Sequence, residues 1–121
     1  MRKEVGDLYY CPEDFEMLDL SFYEKCFLSI VLSESATIYT NQALGDFFGL
    51  NKYVISRMIS KLHKQHYIRI KGKGRNRQIR IGARFYEDKY GKEKLENNEI
   101  INPNVFANYY WIKKEEKDGW I

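Results

Sequence analysis

The fold of this chain is decided by residues 40–62, which read TNQALGDFFGLNKYVISRMISKL. Thr40 or Asn41 is expected to cap a short helix, because either side chain can accept a hydrogen bond from a free backbone amide. Gly49 predicts the end of that helix, since glycine takes up a left-handed backbone conformation without a steric cost. Asn51 has the chemistry of a second helix cap. The stretch therefore predicts two helices joined by a tight turn.

The first of these helices is expected to end at Phe48 and to direct Leu44, Phe47 and Phe48 at a core. Gly45 lies in the middle of the helix, where glycine costs up to about 1 kcal/mol relative to alanine. Such a cost is tolerated where a side chain would block the close approach of a neighbouring element. We therefore expect a neighbouring helix to approach closely at Gly45.

The second helix is predicted from Lys52 to about Gln65 by a stripe of apolar residues. The stripe has the i, i+3, i+4, i+7 spacing of one helix face and consists of Ile55, Met58, Ile59 and Leu62. The opposite face is polar and basic, and carries Lys52, Tyr53, Ser56, Arg57, Ser60, Lys61 and Lys64. One side of this helix is thus expected to pack on a core while the other stays exposed.

A longer helix is predicted upstream, from Ser21 to Ser33. Ser21 and Glu24 have the spacing of a capping box, in which each side chain accepts a hydrogen bond from the other residue's amide. The apolar residues of this helix recur at helical spacing and are Phe22, Cys26, Phe27, Ile30 and Val31. Cys11 and Cys26 match no zinc or CxxC spacing. We expect both to be free thiols, with Cys26 acting as a small buried hydrophobe.

Two short segments of alternating polarity follow the second helix and predict a β-hairpin. They are Tyr67–Lys71 and Gln78–Ile81, and the loop between them reads GKGRNR. A two-stranded hairpin is marginally stable by itself. Packing on the helices, together with a third strand from Ala36–Tyr39, is expected to stabilise it.

The charges of the chain are strongly segregated, although the net charge is only +3. Residues 47–86 carry eleven Lys or Arg side chains and no Asp or Glu, whereas residues 1–46 carry three basic and nine acidic side chains. A basic block of this length is typical of a surface that binds a polyanion. The other interpretation is a solvated basic face without a partner.

The order of these elements resembles the winged helix-turn-helix. The segment GDFFGLNKYVISRMISKLHKQHYIRI is similar to MarR-type regulators and to the N-terminal DNA-binding domains of phage and plasmid replication initiators and replisome organisers. The preceding LDLSFYEKCFLSIVLS is closer to the replication group. The resemblance covers about residues 17–82. It implies a mainly α fold with a small β-hairpin wing (α+β) and a winged helix-turn-helix domain at residues 1–82.

The chain departs from this family at two places. His66 stands where the family usually has Gly to close the second helix, so His66 is expected to adopt the left-handed backbone that glycine adopts more easily. Residues 83–121 form a C-terminal extension that is too short for the second domain of these families. Asn104 is expected to cap a helix within it, at residues 104–114.

The resemblance implies that the second helix lies in the major groove of double-stranded DNA, and the hairpin is expected to contact the backbone or the minor groove. Lys52 and Arg57 can donate to guanine, and Lys61 and Lys64 are expected to reach phosphates. The full set of expected DNA-binding residues is Asn51, Lys52, Tyr53, Ser56, Arg57, Lys61, Lys64, Lys71, Lys73, Arg75, Arg77 and Arg80. Tyr53 could instead be a surface ring, and Arg57 a plain phosphate contact.

A homodimer is expected, because paired half-sites give the specificity that one short helix lacks. The predicted dimer or partner surface is an aromatic ridge in the C-terminal extension, formed by Val105, Phe106, Tyr109, Tyr110 and Trp111. The alternative is that this extension packs back onto its own domain.

The chain matches no catalytic, nucleotide-binding or metal motif, so we expect no enzyme activity, no cofactor and no metal. His63 and His66 lack a third ligand nearby and are interpreted as surface histidines. No apolar run approaches the roughly 18 residues of a membrane span, and a cytoplasmic location in a bacterial or phage-infected cell is expected.

The predicted function is sequence-specific double-stranded DNA binding, by a small transcription regulator or a phage or plasmid replication accessory protein. The alternative is a phage-type protein-binding inhibitor, such as an anti-CRISPR or host-takeover protein, built on the same scaffold. RNA binding ranks lower, because no aromatic platform on a sheet is indicated.

Overall fold

The structure is a computed structural model that describes residues 15–16, 18–34, 37–100 and 102–120, with the backbone alone at Arg75. Within these ranges the chain forms six α-helices and two β-strands. They are α1 (Phe22–Ser33), α2 (Asn41–Phe48), α3 (Lys52–Lys64), β1 (Ile68–Lys71), β2 (Gln78–Ile81), α4 (Ala83–Tyr90), α5 (Lys92–Glu96) and α6 (Pro103–Glu115). The predicted class, mainly helical with a small antiparallel sheet, is confirmed. Cys11 and Ala36 lie outside the described residues.

Helix α1 begins with the predicted capping box. The Ser21 hydroxyl accepts a hydrogen bond from the Glu24 amide at 3.3 Å, and the Glu24 carboxylate accepts one from the Ser21 amide at 2.8 Å. Cys26 is a buried free thiol, and burial raises its pKa. Phe22, predicted on the buried stripe, is instead 64% exposed, and its ring packs edge-on against Tyr23 at the surface.

The turn between α2 and α3 has the predicted geometry. Thr40 caps α2 by accepting a hydrogen bond from the Ala43 amide, and Gly49 ends it with a φ of 69°. A Cβ atom at Gly45 would lie 2.5 Å from the Leu50 carbonyl oxygen, closer than real contacts allow. Glycine is therefore required at this position, and the element that approaches it is the turn leading into α3.

Strands β1 and β2 form an antiparallel hairpin that pairs Ile68 with Ile81 and Ile70 with Ile79. The predicted third strand at residues 36–39 is reduced to one bridge, in which the Thr37 and Ile79 backbones exchange hydrogen bonds of 2.8 and 2.9 Å. Both Thr37 and Tyr39 are buried, at 0% and 2% exposure. The bridge still fixes β2 to the segment that leads into α2.

The C-terminal extension packs on the rest of the chain. Its buried side chains Phe85, Leu95 and Ile112 belong to the same hydrophobic core as Phe27 and Leu62. The core thus crosses the predicted boundary at residue 82, which favours the alternative in which the extension folds back.

The cap of the last helix lies two residues earlier than predicted. Asn102, not Asn104, caps α6, because Pro103 fills the first helical position and the Asn102 side chain accepts a hydrogen bond from the Asn104 amide at 3.0 Å. Proline suits this position since its missing amide has no intrahelical partner there. Among the described residues, no helix is long and apolar enough to cross a membrane.

Candidate nucleic-acid interface

The outward face of α3 is as predicted. Ile55 and Leu62 are fully buried. The seven residues of the opposite face are all exposed: Lys52, Tyr53, Ser56, Arg57, Ser60, Lys61 and Lys64. Asn51 also lies at the surface, but its side-chain oxygen accepts a hydrogen bond from the Tyr53 amide at 2.7 Å. That oxygen serves the helix cap, and the amide NH₂ group of Asn51 is left to donate to a ligand.

Lys61 joins this exposed face to α1. Its ammonium lies 3.0 Å from a carboxylate oxygen of Glu24, whose side chain is 6% exposed. Burial alone would raise the pKa of Glu24, but hydrogen bonds from the Ser21 amide and from Lys61 outweigh burial and lower it. Lys61 therefore serves the packing of α3 on α1 as well as the surface charge.

The loop of the hairpin presents two lysines and needs a glycine. Lys71 and Lys73 are exposed. Gly72 has a φ of 80°, and a Cβ there would lie 2.4 Å from the Asn76 carbonyl oxygen. The backbone at Gly72 is thus packed closely against the other side of the loop. This close packing fixes the positions of Lys71 and Lys73, the residues on either side. The side chain of Arg75 lies outside the described part of the chain.

Arg77 is not part of the exposed surface that the sequence predicts. Its guanidinium donates a hydrogen bond to the Tyr39 carbonyl oxygen at 3.0 Å, and burial lowers its pKa. This contact fixes the end of the hairpin loop to the segment before α2. Arg77 is therefore half-buried and braces the loop, with at least one of its guanidinium donors engaged inside the protein.

Arg80 is likewise turned away from the α3 face. It forms an ion pair with Glu115 of α6, and its guanidinium carbon lies 4.2 Å from the centre of the Trp120 ring. Arg69, which is 5% exposed, contacts the same Glu115 at 3.4 Å and donates to the Ile81 carbonyl oxygen at 2.8 Å. The C-terminal extension thus covers the arginine-bearing face of the hairpin.

Part of this arrangement could be predicted from the sequence. Arg69 pairs with Arg80 across the hairpin. Because side chains alternate along a strand, both must point to the face opposite the paired isoleucines. That Glu115 and Trp120 cover this face was not predicted. They lie 35 to 51 positions along the chain from Arg69 and Arg80, and no local sequence pattern links residues so far apart.

The basic block therefore divides into two groups. Its outward members are Lys52, Arg57, Lys61, Lys64, Lys71 and Lys73, of which Lys61 is also paired with Glu24 of α1. Its buried or half-buried members are Arg69, Arg77, Arg80 and Arg84, each held by a contact within the protein; Arg84 lies 3.4 Å from Asp88. The lysines and Arg57 supply the candidate surface, while the hairpin arginines hold the fold together.

The predicted aromatic ridge is split by the structure. Val105 and Tyr109 are buried at 7% and 4% exposure, and the Tyr109 hydroxyl donates to Glu87 at 2.7 Å. Burial and that carboxylate raise the pKa of Tyr109. Phe106 is half-buried, and only Tyr110 and Trp111 are fully at the surface. The five residues cannot form one interface, because helical spacing places them on opposite sides of α6.

No group of three or more His, Cys, Asp or Glu side chains within the described ranges is arranged to hold a metal ion. His66 closes α3 with a φ of 65°, as the sequence predicts. Comparison of the chain with protein-family models, curated proteins and solved structures gives no match.

Proposed function

We propose that this protein binds double-stranded DNA in the manner of a winged helix-turn-helix, with α3 as the recognition helix and the hairpin as the wing. The observation that carries the proposal is the exposed face of α3, which bears four cations and no carboxylate and is followed directly by the hairpin lysines. A surface of this kind attracts the phosphate backbone, which dominates the affinity of such complexes.

The order and burial of the helices support the placement of α3 in the major groove. In this motif the N-terminal residues of the second helix contact base edges while the first helix crosses the backbone. Tyr53 and Arg57 lie in that N-terminal half, and Tyr53 is 67% exposed. Arg57 bound to a guanine through two hydrogen bonds would contribute about 1–3 kcal/mol of discrimination. Lys61 and Lys64, further along, would contact phosphates.

Three contacts with other parts of the fold support the hairpin as the wing. Thr37 fixes one edge of it, Arg77 fixes its loop, and Glu115 fixes its arginine-bearing face. Lys71 and Lys73 are left to contact the DNA backbone. In this proposal Arg77 and Arg80 affect binding only through the position of the wing.

Base reading and backbone contact can be separated by two single variants. Arg57→Ala is expected to relax the sequence preference found by selecting bound duplexes from a random pool. Lys64→Ala is the matched control from the same helix face, and should weaken binding to all sequences alike. An unchanged preference in Arg57→Ala would remove Arg57 from base readout and assign it to a phosphate.

A transcription regulator or a replication accessory protein are the two roles we propose for such DNA binding. A homodimer remains part of the proposal, because one recognition helix reads few base pairs and two-fold half-sites lie about 34 Å apart. Sedimentation of the protein with and without a selected duplex tests this directly. A single monomer on the selected site would contradict the dimer and leave DNA binding intact.

A further inference from the structure

The outer face of α6 has an exposed aromatic pair that the proposed duplex surface does not use. Tyr110 and Trp111 are 55% and 54% exposed, while Val105, Tyr109 and Ile112 bury the opposite side of the helix. Two neighbouring exposed rings offer flat faces on which a planar group can stack. The pair is therefore a candidate contact site.

The two rings form a corner. Their centres are 6.1 Å apart and their planes meet at 76°. A flat group stacked on one ring would therefore meet the other ring with its edge, an arrangement that aromatic groups favour. Each of the two rings can therefore stack with one planar group.

Lysines surround the corner. Lys114 lies 4.8 Å from the centre of the Trp111 ring. A shallow cleft of about 430 Å³ beside Tyr110 is lined by Lys113, Lys114, Lys117 and Asp118. Three cations against one carboxylate favour an anionic partner, and cations beside aromatic faces suit a chain that carries both phosphates and rings.

A second copy of this chain fits the site poorly. A two-fold contact brings the same patch of each protomer together. The cleft lining holds three lysines and one aspartate, so both sides of such a contact would carry an excess of positive charge. Like charges disfavour association. A purely apolar partner would likewise leave the lysines without counter-charges.

We propose that the α6 face, formed by Tyr110, Trp111, Lys113, Lys114 and Lys117, binds single-stranded nucleic acid. Nucleobases stack on the two rings and the lysines contact the phosphates, as in stretches where aromatic and basic side chains alternate. The inference does not depend on duplex binding by α3, since it uses a different helix and different side chains.

The first test measures the binding of a labelled dT12 oligonucleotide by fluorescence anisotropy. Tyr110→Ala with Trp111→Ala is expected to weaken binding at least tenfold, because each stacked base contributes substantially in such complexes. Phe22→Ala with Tyr23→Ala is the matched control: that pair also has rings 6.1 Å apart and is 64% and 44% exposed, but Tyr23 packs edge-on against Phe48 of α2. An equal loss in both double variants would overturn the proposal.

The second test separates this site from the duplex surface. Arg57→Ala with Lys64→Ala should weaken duplex binding and leave dT12 binding within about twofold, since neither side chain belongs to α6. The Tyr110 and Trp111 double variant should show the reverse. Loss of dT12 binding in the α3 variant alone would place single strands on the duplex surface and refute the α6 site, whatever the outcome for duplex DNA.

Two competitors decide which partner the face takes. Unlabelled rU12 should displace dT12, because bases and phosphates are shared by both strands, whereas a polyglutamate peptide of equal charge should not. Displacement by polyglutamate at the same concentration would show a general anion site without base stacking. A fall in protomer association on losing Tyr110 and Trp111 would assign the face to a second copy, and either result overturns the proposal.

Discussion

Replacing Glu115 with Gln should release the C-terminal extension from the hairpin. The glutamine keeps the shape of the side chain but removes the charge that faces Arg69 and Arg80. Arg69 is the more sensitive partner, because its side chain is only 6% exposed. Its burial already lowers its pKa, and Glu115 opposes that effect.

The magnitude follows from how deeply the three groups lie. Removing one member of a fully buried ion pair costs about 3–5 kcal/mol. Glu115 is 23% exposed and Arg80 is 31% exposed, so solvent screening reduces the cost to about 2 kcal/mol. Unfolding entropy near 2.1 cal/mol/K per residue over 121 residues makes that a fall of about 8 °C in the melting temperature.

The assay is thermal unfolding followed by circular dichroism at low ionic strength. Glu116→Gln is the matched control, because Glu116 is the next residue, is exposed, and acts on Arg69 without forming an ion pair within the described ranges. It should melt within about 2 °C of the parent chain, as surface changes usually do. The reasoning is refuted if the Glu115 and Glu116 variants melt at the same temperature.

Three further predictions concern the elements that position α3. Gly45→Ala should lower the unfolding free energy by about 1–2 kcal/mol, since overpacking against the turn outweighs the gain in helix propensity; an unchanged urea midpoint would contradict the close approach. His66→Gly should raise the unfolding free energy by about 1 kcal/mol by relieving the left-handed backbone, whereas His63→Gly, inside α3, should lower it by a similar amount; equal signs would argue against strain at His66. Glu24→Gln should destabilise the chain by about 1–3 kcal/mol at neutral pH. Because folding lowers the pKa of Glu24 from its ordinary value of 4.5, this stabilisation is complete above that value and is lost as the pH falls through the folded-state pKa. Urea unfolding of both chains from pH 7 to pH 3 should show the difference shrinking, and a constant difference would contradict it.

The sequence predicts local elements well because their signals act over a few residues. Helix caps at Ser21 and Asn51, the left-handed Gly49 and the alternation in the hairpin each depend on neighbours within one turn or one strand. The early start of α6 also had a local signal, since Asn102 precedes Pro103. Helix α4 was not predicted, because its eight residues lack an apolar stripe at helical spacing. Its buried residues are Ala83, Phe85 and Tyr86.

The exposed residues of the candidate site could be predicted for helix α3 but not for the hairpin. The period of α3 fixes which side chains face outward once Ile55 and Leu62 face the core. In the hairpin, the direction of a side chain was readable from the strand pairing, but what covers each face was not. Glu115 and Trp120 reach Arg80 from far along the chain, so charge counting alone overstated the exposed cations.

The salt dependence of duplex binding tests the central claim most directly. Six outward cations predict that the logarithm of the association constant falls with the logarithm of salt concentration at a slope of about −5. Changing Lys71 and Lys73 together to Ala should reduce the slope by about 2, and changing Lys92, exposed on α5, should leave it unaltered. A slope near zero, or one that the Lys71 and Lys73 variant does not change, would contradict DNA binding by α3 and the hairpin.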